Sequence, residues 1–138
     1  MACVEEESGG TVNGGKYTIL ICEDDWLIRS GTIEVLEEQG HTVFEAADAT
    51  TALAILSERP IDVLVTDIGL PDMSGVLLAR RAKAMVADLP VVFVTGHSEV
   101  EDIQTGPAVQ LVNKPYSSER LAAAIALVTA GGKVCRTI

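Results

Sequence analysis

The stretch Val63-Leu64-Val65-Thr66-Asp67 limits the folds open to this chain more than any other. Apolar and β-branched residues run directly into one aspartate. Pro60 stands just before the run, and the loop Ile68-Gly69-Leu70-Pro71-Asp72-Met73-Ser74-Gly75 follows it. A short apolar run between such breakers is the pattern of a buried strand. Asp67 then stands at the carboxyl end of a central strand, the edge of an open α/β sheet at which ligands and chemistry collect.

The flanking sequence alternates between the two periodicities. Tyr17 to Cys22 reads as a strand ending in Glu23-Asp24-Asp25, and a helix from Trp26 to Gln39 follows. Ile28, Thr32, Val35 and Leu36 lie on one face of that helix at helical spacing, and Gly40 stops it. His41 to Ala47 is a second strand. Asp48 caps a second helix, from Ala49 to Arg59, with Ala52, Leu53, Ile55 and Leu56 on its inner side. After the third strand, a helix from Ser74 or Gly75 to Ala87 separates Leu77 and Leu78 from Arg80, Arg81 and Lys83. Val91 to Thr95 is the fourth strand, followed by a weak polar helix from Glu99 to Thr105. Ala108 to Asn113 is the fifth. A last helix runs from Glu119 to Thr129, capped by Ser117 or Ser118, with Leu121, Ala124, Ile125 and Val128 facing inward.

Alternating strands and helices imply a doubly wound α/β fold: a five-stranded parallel sheet covered on both faces, with right-handed crossovers. The order 2-1-3-4-5 fits five strands. Residues 17–130 form the domain. Residues 1–16, rich in Glu, Ser and Gly without hydrophobic period, read as a disordered tail, and residues 131–138, from Gly131-Gly132 on, as a C-terminal tail.

Composition removes several function classes. The formal net charge is −10 over 138 residues, which argues against a nucleic-acid surface and against anionic membranes. No apolar run reaches the length of a membrane span, and no secretory signal opens the chain, so a cytoplasmic location is the default. Cys3, Cys22 and Cys135 are odd in number and lack metal-ligand spacing; Cys22 reads as a small buried hydrophobe.

The strand ends carry the chemistry. In the order 2-1-3-4-5, strands one and three are neighbours, so Glu23, Asp24 and Asp67 converge. At roughly 5 Å and an effective dielectric near 20, each carboxylate pair repels by about 3 kcal/mol. That arrangement asks for a divalent cation, and hard oxygen donors suit Mg²⁺. Asp67 is then placed as a nucleophile toward a phosphoryl group. Such a transfer needs positioning and charge neutralisation. Lys114, at the end of strand five, brings an ammonium, and Thr95, at the end of strand four, brings a hydroxyl. Asp25 suits the start of the first helix better than the acidic pair. Arg80, Arg81 and Lys83 suit a solvated face, His41 and His97 the surface, and Trp26 either packing or a partner contact.

Ile-Leu-Ile-Cys-Glu-Asp-Asp (19–25), Asp-Ile-Gly-Leu-Pro-Asp-Met-Ser-Gly (67–75), Val-Thr-Gly (94–96) and Lys-Pro (114–115) occur in order, each at a predicted strand end. Together they resemble the response-regulator receiver domains of bacterial two-component signalling, with the flavodoxin-like receiver fold. The resemblance covers about Tyr17 to Ala130. It implies that Asp67 is the phospho-acceptor, taking phosphate from a histidine kinase or histidine phosphotransfer protein. It implies that Asp24, Asp67 and the backbone carbonyl of Gly69 bind Mg²⁺ directly, that Glu23 does so through water, and that Thr95 and Lys114 contact the phosphoryl group. It also implies a cis Lys114-Pro115 bond. A receiver of this kind catalyses only its own phosphorylation and dephosphorylation and is not otherwise an enzyme.

Two departures from the family pattern stand out. Leu111 occupies a position where similar receivers often carry an aromatic, and the segment from Thr95 to Lys114 is shorter than usual by about one helical turn. With Phe93-Val94-Thr95-Gly96-His97, this resembles the FATGUY-type single-domain receivers and implies a fourth helix that moves in switching. No effector domain follows in the sequence. A receiver excised from a hybrid kinase and a pseudo-receiver are the related alternatives. An aspartate-nucleophile phosphohydrolase would carry Asp-x-Asp on its first strand, and a flavodoxin-like cofactor binder would need a phosphate loop where Glu23-Asp24-Asp25 stands.

Overall fold

In a computed structural model, the described residues are 16–96, 106 and 108–134. They form β1 (Thr18–Cys22), α1 (Trp26–Glu38), β2 (Thr42–Ala46), α2 (Ala49–Glu58), β3 (Val63–Asp67), α3 (Gly75–Met85), β4 (Val91–Thr95), β5 (Val109–Asn113) and α4 (Ser118–Val134). All strand pairs are parallel, in the order β2-β1-β3-β4-β5. This is the doubly wound order that the alternating pattern implies. The predicted helix over 99–105, His97, residues 1–15 and residues 135–138, with Cys3 and Cys135 among them, lie outside the described residues.

The sheet divides the core into two clusters. Leu20, Leu64, Leu78, Leu89, Val91 and Phe93 pack under α2 and α3. Ile19, Ile21, Leu36, Val65, Val92, Leu121 and Ile125 pack under α1 and α4. Strands buried on both faces are continuous apolar runs rather than alternating ones, which is why β3 and β4 stand out in the sequence. Leu111 pairs in register with Phe93 and joins the α2/α3 cluster.

The helix boundaries have local causes. Asp25 accepts the amides of Leu27 and Ile28 as the cap of α1, Asp48 accepts Thr51 for α2, and Ser74 accepts Leu77 for α3. Each carboxylate or hydroxyl satisfies amides that a helix start leaves free. At the far end of α1, Gly40 has φ +98°, its amide donates to Glu37 O, and that of His41 donates to Leu36 O. That six-residue closure needs a left-handed residue. Of the two serines before the last helix, Ser117 is the one that accepts, from the amide of Arg120 at 3.1 Å.

Two expectations are corrected. The last helix does not stop near Thr129: α4 continues through Gly131-Gly132 to Val134. A glycine costs about 1 kcal/mol in a helix relative to alanine but does not by itself end one. And Ile28, placed on one apolar face of α1 with Thr32 and Leu36, is 36% exposed where those two are buried, with Trp26 and Leu27 at 66% and 65%. The first turn of α1 stands at the carboxyl edge of the sheet and faces an open pocket instead of the core.

Candidate functional site

The carboxyl ends of β1 and β3 are adjacent because those strands pair from Ile19↔Val63 to Cys22↔Thr66. Each strand therefore delivers its following acid to one place. Carboxylate oxygens of Glu23, Asp24 and Asp67 all lie within 4.8 Å of one another. Asp24 is exposed and Asp67 half-buried, while Glu23 is only 4% exposed.

Lys114 reaches this cluster from the end of β5. Its Nζ lies 3.0 Å from Glu23 Oε1 and 3.2 Å from Asp67 Oδ2. Its own amide donates to Thr95 O at 2.7 Å, which joins the ends of β4 and β5. The bond to Pro115 is cis. Thr95 closes β4 and is buried. The structure thus brings together Glu23, Asp24, Asp67 and Lys114, and sets Thr95 at the neighbouring strand end. Gly69 is exposed in the loop after β3 and bridges to Ser74.

Electrostatics at the site are strained. Burial pushes the Glu23 carboxyl above its ordinary pKa, against the opposing pull of the Lys114 ammonium and the Asp25 amide. Burial acts to lower the pKa of Lys114, but Glu23 and Asp67 outweigh it and hold it above the ordinary value. Among the described residues, three clustered carboxylates meet one ammonium, that of Lys114, which pairs with two of them, so two negative charges stay unbalanced when all are ionised. A hard divalent cation supplies that balance, and a set of carboxylate oxygens within 4.8 Å of one another is a donor set that suits Mg²⁺. The residues present fit the metal.

The backbone around Asp67 is held tightly. The amide of Ile68 donates to Asp67 Oδ1 at 2.9 Å, and Gly75 N donates to Ile68 O at 2.7 Å. A Cβ on Gly75 would collide with the carbonyl oxygen of Asp67, so only glycine lets α3 start this close to the end of β3.

Three supporting contacts are not legible in the sequence. Arg29 donates from Nη1 to Glu23 O at 2.6 Å and from Nε to Glu45 Oε1 at 2.8 Å, fastening the β1–α1 loop to β2. Thr32 Oγ1 donates to Ile28 O at 2.9 Å and lies 2.7 Å from Tyr116 Oη. A threonine has one hydroxyl proton, so Tyr116 is the donor in that pair; burial pushes its phenol above the ordinary value. Asp72 reaches from the β3–α3 loop to the start of α2. Apart from the Thr32–Ile28 bond within α1, the partners of these contacts lie 6 to 84 residues apart, and no local pattern announces them.

Beside the acids, between α1 and α4, lies a pocket of about 540 Å³ lined by Leu27, Ile28, Val35, Pro115, Tyr116 and Leu121, among others. Among the described residues, no helix is long and apolar enough to cross a membrane. Cys22 is buried and its thiol is pushed up to about 12, chiefly by burial, so it is no nucleophile.

The profile of the response regulator receiver domain matches residues 19–126. This chain belongs to that family. It is 35% identical over 101 residues to the response regulator receiver protein CpdR of Brucella abortus, which covers 71% of this chain and 84% of CpdR. It is 33% identical over 116 residues to the sensor kinase CckA of the same species, covering 80% of this chain but 12% of that kinase. It spans 23% of the transcriptional regulator DctD of Rhizobium meliloti, so these two longer relatives contain much that this chain does not match. Among solved structures, the receiver domain of the hybrid histidine kinase CckA superposes with TM-score 0.71 at 30% identity, over 81% of this chain and 98% of that one. A CheY-like receiver from Methanospirillum hungatei gives TM-score 0.71 at 28% identity, over 80% and 91%.

Proposed function

We propose that this receiver takes a phosphoryl group onto Asp67 from the phosphohistidine of a histidine kinase or phosphotransfer protein, and that the aspartyl phosphate switches its protein contacts. The observation that carries this reading is the convergence of Asp67, Glu23 and Asp24 with the ammonium of Lys114 at strand ends. The Asp67 carboxylate attacks phosphorus, a P–O bond forms, the P–N bond to the imidazole breaks, and its electron pair leaves with the imidazole nitrogen. Hydrolysis by water later returns the carboxylate and inorganic phosphate. No redox partner is needed.

Lys114 already contacts Asp67 and is placed to follow the charge onto phosphoryl oxygens. Thr95 offers a hydroxyl from the next strand. Asp24, Asp67 and the carbonyl of Gly69 would hold Mg²⁺ directly, and Glu23 through water. Bound there, the ion would neutralise charge building on the transferring group. Trp26, Leu27 and Ile28 are exposed beside the acids, a surface suited to an apolar helical partner that presents the imidazole. Leu111 packs against the core beside Phe93, so the switch does not run through rotation of an aromatic at that position. We read the chain as a FATGUY-type receiver of the cytoplasm, whether as a separate protein or within a hybrid kinase, on the residues Phe93-Val94-Thr95-Gly96 and the short segment before Lys114.

Incubation with acetyl phosphate and MgCl₂ followed by intact mass tests the proposal. One added phosphoryl group, absent in Asp67→Asn, supports it. An unchanged mass in the unsubstituted protein refutes it and leaves a binding module without phosphorylation.

A further inference from the structure

Asp72 stands in the middle of the β3–α3 loop, on the surface, with no part in the acid cluster. Its bonding is nonetheless dense. Oδ1 accepts the amide of Ala49 at 2.9 Å, and Oδ2 accepts both the amide of Thr50 at 2.9 Å and its hydroxyl at 2.7 Å. Asp48, the cap of α2, accepts a different amide, that of Thr51, at 2.8 Å. The start of α2 thus has two carboxylate caps, one local and one sent across from another loop. These backbone bonds, with the Thr50 hydroxyl, hold the Asp72 carboxyl down to about 2.

A helix start leaves four amides free, and Asp48 takes only that of Thr51. Asp72 takes two more, and because it comes from another loop the same bonds also tie that loop to the helix. The loop's two ends are held by Ile68 and by the Gly75–Ile68 bond. Between them the backbone is tied by the Gly69–Ser74 bridge, and Asp72 ties the tip to α2. Gly69 lies three residues before Asp72, inside the segment so braced.

We propose that Asp72 is a positioning residue: by docking the β3–α3 loop on the start of α2, it sets the backbone carbonyl of Gly69 where a divalent cation at the acid cluster can use it. This rests on the metal reading above. Asp72 touches neither metal nor phosphate; it acts through the loop.

The test is titration with MgCl₂ alone, read from the amide NMR shifts of Asp24 and Gly69, alongside urea midpoints without Mg²⁺. Three variants separate geometry from charge. Asp72→Ala removes the whole dock and is expected to raise the Mg²⁺ Kd at least fivefold. Asp72→Asn removes the same charge but keeps one acceptor, and should fall between Asp72→Ala and the parent. Thr50→Val removes the hydroxyl bond with no change of charge, and should raise Kd about twofold with the urea midpoint unchanged. If Asp72→Ala does not fold, Thr50→Val decides alone. Parent-like Kd in Thr50→Val, or equal Kd in Asp72→Ala and Asp72→Asn, overturns the positioning role, since a merely structural or long-range charge effect gives those results. If the parent itself shows no Mg²⁺ shifts, the metal reading falls first and the inference with it.

Discussion

Titratable side chains stand at both ends of the same strands, and the two ends use them in opposite ways. At the amino edge, Asp62 and Thr18 form a closed pair: Thr18 N donates to Asp62 Oδ2 at 2.8 Å, and Asp62 N donates to Thr18 O at 2.8 Å. His41 Nδ1 accepts the amide of Tyr17 at 3.0 Å, and the two rings stack at 5.8 Å. Each polar group there answers a backbone group, which is what a stable fold asks of buried polar atoms. At the carboxyl edge, Glu23, Asp24 and Asp67 crowd together, and the ammonium of Lys114 pairs with Glu23 and Asp67 but not with Asp24. Local rules broken at one edge of a sheet whose other edge obeys them mark a site kept for function at a cost in stability.

The sharpest way to break this contrast is at Asp67. Asp67→Asn leaves a side chain of the same shape, and acetyl phosphate should then add no phosphoryl group detectable by intact mass. Lys114→Met comes next. It removes the cation that meets both Glu23 and Asp67, and phosphorylation by acetyl phosphate should slow about 100-fold, the typical cost of one electrostatic donor to a transferring group. A Lys114→Met protein phosphorylated at the parent's rate would remove Lys114 from the site.

The amino edge should answer in the other observable. Asp62→Ala leaves the Thr18 amide without its acceptor, and stability should fall by about 1 kcal/mol in a urea titration, with phosphorylation unchanged. At the carboxyl edge, Asp24→Asn should do the reverse: it relieves repulsion, raises Mg²⁺-free stability by about 0.5 kcal/mol, small because Asp24 is exposed and screened, and abolishes the stabilisation that added MgCl₂ gives the parent. A fall in stability on Asp24→Asn would mean that the acids are not in conflict.

How much of this the sequence discloses follows from the range of each interaction. The strands, their order and the caps Asp25 and Asp48 rest on local pattern, and they are legible, while the start of the third helix is legible only to Ser74 or Gly75. So are the strand-end acids and Lys114, because a parallel sheet places every strand's carboxyl end on one edge. Helical periodicity puts Ile28 on one face with Thr32, Val35 and Leu36, but it does not report whether a neighbour covers the first turn. The end of α4 was misplaced because Gly131-Gly132 lowers helix propensity without fixing a left-handed residue, whereas Gly40 has one. Asp72, Arg29 and the Thr32–Tyr116 pair were invisible, since each joins groups that only the tertiary fold brings together.

The smallest expected effect lies in the pH dependence of the amino edge. Burial lowers the His41 pKa, and its Nδ1 accepts the Tyr17 amide, so the fold holds the neutral ring. A folded-state pKa below the unfolded value means that the unfolded chain binds the proton first. The stability due to His41 is therefore complete above its ordinary value of about 6.5, and it drains away as pH falls through the lowered folded-state value. Glu23 works in the opposite sense: its raised pKa means that the folded state takes up a proton before the unfolded chain does, so acidification relieves the carboxyl edge. The two edges should thus respond to mild acid with opposite signs. Urea midpoints between pH 7.5 and 5, compared for the parent, His41→Phe and Glu23→Gln, resolve them. His41→Phe should lose the acid-side fall and Glu23→Gln the compensating rise, and identical pH slopes in all three proteins would erase the distinction between the edges.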